Sequence, residues 1–444
     1  MASPEAARAL EDLATAVGES QADRAVEAAV RALRAKADPL ELVRSAALAA
    51  ASRFDPALGL PPHGLLALTC ASNLTAVLEP RSRPLPILQA IVLAAAEEKA
   101  AKAAGAPTVV RGEVSHLGRS FLFAARAGDR VEAEAIFLGI LDERKERRLA
   151  GDMLFRAASE DMGDGGNKLI VAVKLWQLAR TLGFQEGRRI LRPAVQYLVS
   201  GARDAGPYRT LMSVLGKEWV DLDALAAGGR PLDDAGRAKV SKLPTVPTAE
   251  ACVASMLGLL REGYAAASLA EGLILEAARR SLAAEGYDLE VAHGLIYAHA
   301  ARHALTFTRT NERLYALFQA ALRLRSPEPI VSLPAIAAVQ GEGDELCAIA
   351  GDLEARSPKE TAARVASYLS RRYSPTRLLE LLAHYASRDS SLVNRGHNLI
   401  LADVCSTEFA ATKAPEVAMV LAKMVAASSP DWTAYEAWAP TLGV

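Results

Sequence analysis

The stretch HGLLALTCASNL, residues 63–74, returns in altered form as HGLIYAHAARHA at residues 293–304. Both copies open on His-Gly-Leu, and positions 63 and 293 stand 230 residues apart. The same offset relates Gln89-Ala90 to Gln319-Ala320, and ARAGDRVEAEAIFLGIL at 125–141 to ARSPKETAARVASYLSR at 355–371. It also sets GGNKLIVAV at 165–173 against RGHNLILAD at 395–403. Each match is short, but one constant offset over such a span is the signature of an internal duplication.

The repeated segments carry apolar residues at helical spacing, as in ILQAIVLAAAEEKAAKAA at 87–104 and RLYALFQAALRL at 313–324. Alanine is abundant, aromatics make up 5% of the chain, and strand-like alternation is scarce, so propensity favours helix. An all-α fold is expected, with two homologous helical halves, 1–225 and 251–444, packed about a pseudo-twofold around a central site. Residues 226–250, AAGGRPLDDAGRAKVSKLPTVPTAE, concentrate Gly, Pro, Asp and Lys where apolar periodicity lapses and read as a linker. Ser3 and Thr248, each followed closely by an acidic residue, are expected to cap helix starts.

Composition narrows the partners. Across 444 residues, 51% hydrophobic and 23% charged, 51 Lys and Arg balance 52 Asp and Glu for a formal charge of −1. No global field then draws a nucleic acid or an anionic membrane surface. No apolar run reaches the roughly 20 residues that span a bilayer, and the first twenty residues, with their acidic side chains, do not read as a secretory signal. Cys70, Cys252, Cys347 and Cys405 are dispersed, without CxxC spacing, which fits a reducing cytoplasm. No phosphate-binding glycine loop, dinucleotide fingerprint or nucleophile elbow is present.

The seven histidines are then the informative residues. His63 and His293 are equivalent under the offset, each just ahead of an apolar run and expected to point inward. His397 is equivalent to Asn167, and Lys168 to Asn398. His116, in SHLGRSFLFAARAGD at 115–129, is equivalent to Leu346 in ELCAIAGDLEARSPK at 345–359, so it is expected to place an imidazole at a core position. Brought together by packing of the halves, His63, His116, His293 and His397 would present neutral nitrogen ligands suited to Fe, Zn, Cu or Ni. Lone histidines amid apolar residues also serve as hydrogen-bonded core residues, and sequence alone leaves both readings open. Lys168 has two readings as well: a buried amine of lowered pKa able to form a carbamate, or a lysine reaching along a helix to water. His299 and His303 share a helix face at i, i+4 spacing. The Glu of a zinc-binding HExxH is missing, so they are expected to line a cavity or face solvent, with His303 a proton donor or substrate contact. His384 falls near the end of a helical run and needs no special role.

A helical chain of this length with SHLGRSFLFAARAGDRVEAEAIFLGIL, an early HGLLAL, a midchain HGLIYAHAARHALTF and a late GHNLILAD resembles the questin oxidase family. The resemblance implies a flavin-independent and haem-free oxygenase that uses dioxygen on a small aromatic or quinone substrate of polyketide type. It implies Fe(II) held by His63, His116, His293 and His397, with Lys168 as a carbamylated anionic ligand, and His303 as acid or base. Two other classes remain beside it: a non-enzymatic α-helical scaffold, and a zinc or nickel hydrolase using the same histidines. Oligomeric state is not legible in the sequence.

Overall fold

In the computed structural model the structure describes residues 3–103, 105–143, 147–327, 329–337, 339–389, 393–428 and 431–442. Among these, the chain forms twenty-three α-helices and two short 3-10 turns, with no strand. Local chemistry starts the helices where expected. The Ser3 hydroxyl accepts the Ala6 amide at 3.1 Å, and the Thr248 hydroxyl accepts the Ala251 amide at 3.1 Å, each satisfying a donor that a helix end leaves unpaired. Buried apolar side chains from both ends of the sequence join in one continuous core.

Four helices build the centre: His63–Leu74, Gly163–Thr181, Leu289–Phe307 and His397–Thr412. They are apolar nearly all round, as a helix surrounded by others must be. The first and third each pack against both the second and the fourth. Their amino ends lie together, since the His63 and His293 rings both meet the His397 ring. Two to three turns on, Asn73, Lys174 and Asp403 also meet, as do His299 of the third helix and Glu408, so the helices run in parallel. The second helix begins in earnest only at Asn167, because Asp164, Gly165 and Gly166 are left-handed (φ 52°, 66° and 86°). Gly166 is obligatory there: a Cβ would lie 2.4 Å from the Tyr297 ring.

Around this centre, helices begin at residues 114, 130, 147 and 187, and again at 342, 358, 375 and 415, a constant 228 later. The stretch expected as a linker holds structure of its own. Asp233 caps a helix over Asp234–Lys242 through the Gly236 amide, and Val240 and Leu232 are buried, so a polar composition concealed a short amphipathic element that packs on the Ala266–Ala283 helix. No helix among the described residues is long and apolar enough to cross a membrane.

Candidate active site at the amino ends of four helices

Three of the histidines singled out in the sequence come together. His63 and His397 are each the first residue of a helix, and His293 lies one turn into its own. His293 Nε2 stands 2.7 Å from His397 Nε2, with ring centroids 4.7 Å apart, and the His63 ring centroid lies 5.8 Å from that of His397. Burial lowers all three pKa values, to about 3 for His63 and His397 and about 4 for His293, because a charged imidazole there would lose its hydration. All three are neutral at pH 7.

Their tautomers follow from the neighbours. His397 Nδ1 lies 2.5 Å from the Asn394 carbonyl oxygen, so it carries the proton and its Nε2 presents a lone pair. His293 Nε2 must then donate to it. A ring nitrogen tied to a carbonyl, leaving the other free, is how metal-ligating histidines are oriented.

The fit to a metal ion is therefore good in donor chemistry and close in distance. Two nitrogens sharing one cation at bonds of about 2.1 Å stand about 3.0 to 3.4 Å apart, whereas this pair is at hydrogen-bonding separation. Among the described residues, no three His, Cys, Asp or Glu side chains already stand at metal-holding geometry. Parting of the two rings by a few tenths of an ångström, with transfer of the His293 ring proton to Nδ1, converts the hydrogen-bonded pair into two donors.

The two other expected ligands are elsewhere. His116 does not point inward: its side chain is 69% exposed beside Glu113. The helix over Val114–Ala127 buries Leu117, Phe121 and Ala124, and His116 falls on the face of Phe123, itself 74% exposed. The helices here start 228 apart, so its structural counterpart is the exposed Asp344 and not Leu346, and neither copy uses this position as core. Lys168 is buried as one reading supposed, but its Nζ bonds Asp161 Oδ2 at 2.6 Å, while Asp161 Oδ1 accepts the Gly163 and Asp204 amides. Burial lowers the Lys168 pKa and the aspartate opposes it. The pair locks the turn before the second central helix and does not join the histidines.

Residues that sequence reasoning passed over complete the surroundings. Asp164 acts electrostatically on all three rings, favouring their protonated forms, and is held by Asn167 Nδ2 at 2.9 Å and the Tyr197 hydroxyl at 3.0 Å. A cavity of about 200 Å³ leads to His63, walled by Phe54, Leu58, Leu60, Pro61, Pro62 and Leu93. Glu97 and Arg395 supply polar groups to it. Glu97 Oε1 accepts the Gly64 amide at 2.8 Å, and burial pushes its carboxyl up to about 7. The offset could have pointed to Arg395 and Asp164, since both lie in the paired turns ahead of Asn167 and His397.

A second polar layer lies about two turns down the same helices. Lys174 Nζ meets Asp403 Oδ2 at 2.6 Å, and Asn73 Nδ2 donates to the same oxygen at 3.0 Å. His299 Nδ1 faces Glu408 Oε1 at 2.6 Å, and Arg302 Nε meets Glu408 Oε2 at 2.9 Å. His303 packs against Phe155 and Phe307 and faces Gln177 Nε2 at 3.4 Å. It does not line the His63 cavity. His384 lies near Tyr435, whose hydroxyl is 3.5 Å from its Nε2.

No protein-family model, curated protein or solved structure matches the chain. The roles of these residues rest on their geometry and chemistry.

Proposed function

We propose that this chain is a metal-dependent oxygenase, with Fe(II) held by His63, His293 and His397 and a small aromatic or quinone substrate entering through the cavity beside His63. The observation that carries the reading is the convergence of three neutral imidazoles from three helices, two of them buried and the third half-buried, with His397 Nδ1 tied to a backbone carbonyl. Bound iron would supply Lewis-acid and one-electron chemistry toward dioxygen. His63, His293 and His397 would hold it, with Asp164, which acts on all three rings, a carboxylate able to offset its charge. His116 and Lys168 lie outside this ligand set.

The chain's own groups divide the remaining work. The apolar cavity walls exclude water from the substrate body. Glu97, near half-protonated at neutral pH, accepts a proton from a substrate hydroxyl at its second oxygen while Gly64 N–H holds the first. It thereby takes the acid–base part expected of His303, which sits among aromatic rings away from the cavity.

The same reading includes an internal duplication, the two halves meeting about a pseudo-twofold through the four central helices. The constant spacing of helix starts supports it, as does the reciprocal packing of first on fourth and third on second. A cytoplasmic setting accords with four free cysteines, three of them buried.

Elemental analysis of protein purified without chelator tests the reading. About one iron per chain is expected, lost in His293→Ala and His397→Ala and kept in His116→Ala. Nitric oxide added to the ferrous protein should give a paramagnetic adduct. Stoichiometric zinc or nickel without that signal would place the chain among hydrolases. Absence of any metal would make the cluster a hydrogen-bonded core of a helical scaffold and would end the proposal.

A further inference from the structure

The turn ahead of His397 departs from its counterpart in a way that calls for a reason. Asp164-Gly165-Gly166-Asn167 and Asn394-Arg395-Gly396-His397 lie 230 positions apart, and both turns are left-handed. Gly165 has φ 66° and Gly166 φ 86°, while Arg395 has φ 49° and Gly396 φ 77°. Glycine takes this region freely, but a residue with a Cβ does so against steric resistance. The first turn uses glycine at the equivalent place. Arg395 is therefore the less relaxed choice for the backbone, as are eight other non-glycine residues among those described, and what sets it apart is where its side chain stands. Strain of this kind gathers at functional sites.

The side chain of Arg395 stands at the His63 cavity. It acts electrostatically on His63, Glu97 and His397, and it lines the same cavity as the first two. Among the described residues it has no hydrogen-bond or ion-pair partner, although carboxylates line that cavity too. Asp55 Oδ1 accepts the Ala57 amide at 2.9 Å, Glu98 is exposed to solvent, as Arg395 is, and Glu97 is bound to Gly64. A guanidinium offers a planar fork of donors suited to two oxygens. The same cavity is walled by the apolar side chains of Phe54, Leu58, Leu60, Pro61, Pro62 and Leu93.

We propose that Arg395 is the anion-docking residue of this cavity, so that the ligand it admits is a compact apolar molecule bearing a carboxylate or a comparably acidic oxygen pair. The charged end of the ligand meets the guanidinium at the mouth, and the apolar body lies along Pro61 and Leu93 toward His63. This deepens the reading of the histidine cluster as the reaction centre and rests on it, but the docking step itself needs no metal.

The backbone supplies its own control for the test. Arg395→Gly removes the side chain while relaxing the turn, so the variant is expected to keep or raise its urea midpoint. Metal-free wild type and variant are titrated calorimetrically with 1-naphthoate and with its neutral isostere 1-naphthamide. Wild type should bind naphthoate more tightly than naphthamide by about tenfold or more, the value of one charge-assisted contact. Arg395→Gly should lose that preference and keep its weak affinity for the amide, and Arg395→Lys should retain part of it. Absence of naphthoate binding to wild type, equal binding of the two probes, or undiminished preference in Arg395→Gly would each overturn the proposal. Metal content is read separately, so failure of the iron site and failure of anion docking are distinguishable.

Discussion

The buried pair of Lys174 and Asp403 makes a quantitative prediction about what holds the second and fourth central helices together. Their side chains are 2% and 4% exposed, and the ammonium meets the carboxylate at 2.6 Å. Burial alone would depress the lysine pKa, but Asp403 and, after it, the other groups around it outweigh this and raise it, so the ammonium keeps its proton. Asp403→Leu leaves the ammonium without its counter-ion and deprives Asn73 of its acceptor. Breaking a buried pair from one side costs about 3 to 5 kcal/mol, or roughly two to three and a half powers of ten in the folding constant. The exposed pair Lys239–Glu262, 52% and 43% exposed, should cost far less when broken by Glu262→Gln, because water screens it. Lys174→Met combined with Asp403→Leu replaces both charges with apolar groups and should recover most of the loss. Urea unfolding of all four proteins, followed by circular dichroism and by tryptophan fluorescence, gives the comparison. If Asp403→Leu is no worse than Glu262→Gln, or the double variant is as unstable as the single one, the pair is not the buried contact described here.

Three further outcomes follow from single positions. Burial lowers the His303 pKa to about 3, below its unfolded value near 6.5. The unfolded chain therefore binds the extra proton first, and this stability is complete above pH 6.5 and lost as pH falls toward 3. His303→Leu should flatten the dependence of stability on pH between 6.5 and 4 by about 1.4 kcal/mol per pH unit relative to wild type; parallel curves would contradict it. At Gly64 an added Cβ would lie 2.5 Å from Ala94 Cα and 2.7 Å from Glu97 Oε2, so Gly64→Ala should destabilise by about 1 to 3 kcal/mol, read as a lowered melting temperature. His116→Ala, on an exposed face, should change stability by less than about 0.5 kcal/mol in the same melting assay.

Helical class and helix starts were legible because both are local. A Ser or Thr hydroxyl can satisfy a first-turn amide whatever the rest of the chain does, and Ser3 and Thr248 do so. His63 and His293 stood out through the repeated His-Gly-Leu, and His397 through the Gly-His-Asn-Leu-Ile set against Gly-Asn-Lys-Leu-Ile. His116 was misread because an apolar neighbourhood does not say which way a helix is turned. One residue corresponds to about 100° of rotation, and tertiary packing chose the face of Leu117 and Phe121. The helix over Asp234–Lys242 was hidden by composition, since two buried contacts, at Val240 and Gly236, suffice to seat nine residues.

The sequence by itself therefore determined an all-helical chain, its capped helix starts and a short set of histidines that could act together. Only the tertiary structure decided that three of these meet at the amino ends of four parallel helices, that Lys168 is taken by Asp161, and that Asp164, Glu97 and Arg395 surround the cluster. The physical reason is range. Capping and amphipathic periodicity act over one or two turns, whereas the direction of a buried side chain and the charge it meets are set by helices hundreds of residues apart in the chain.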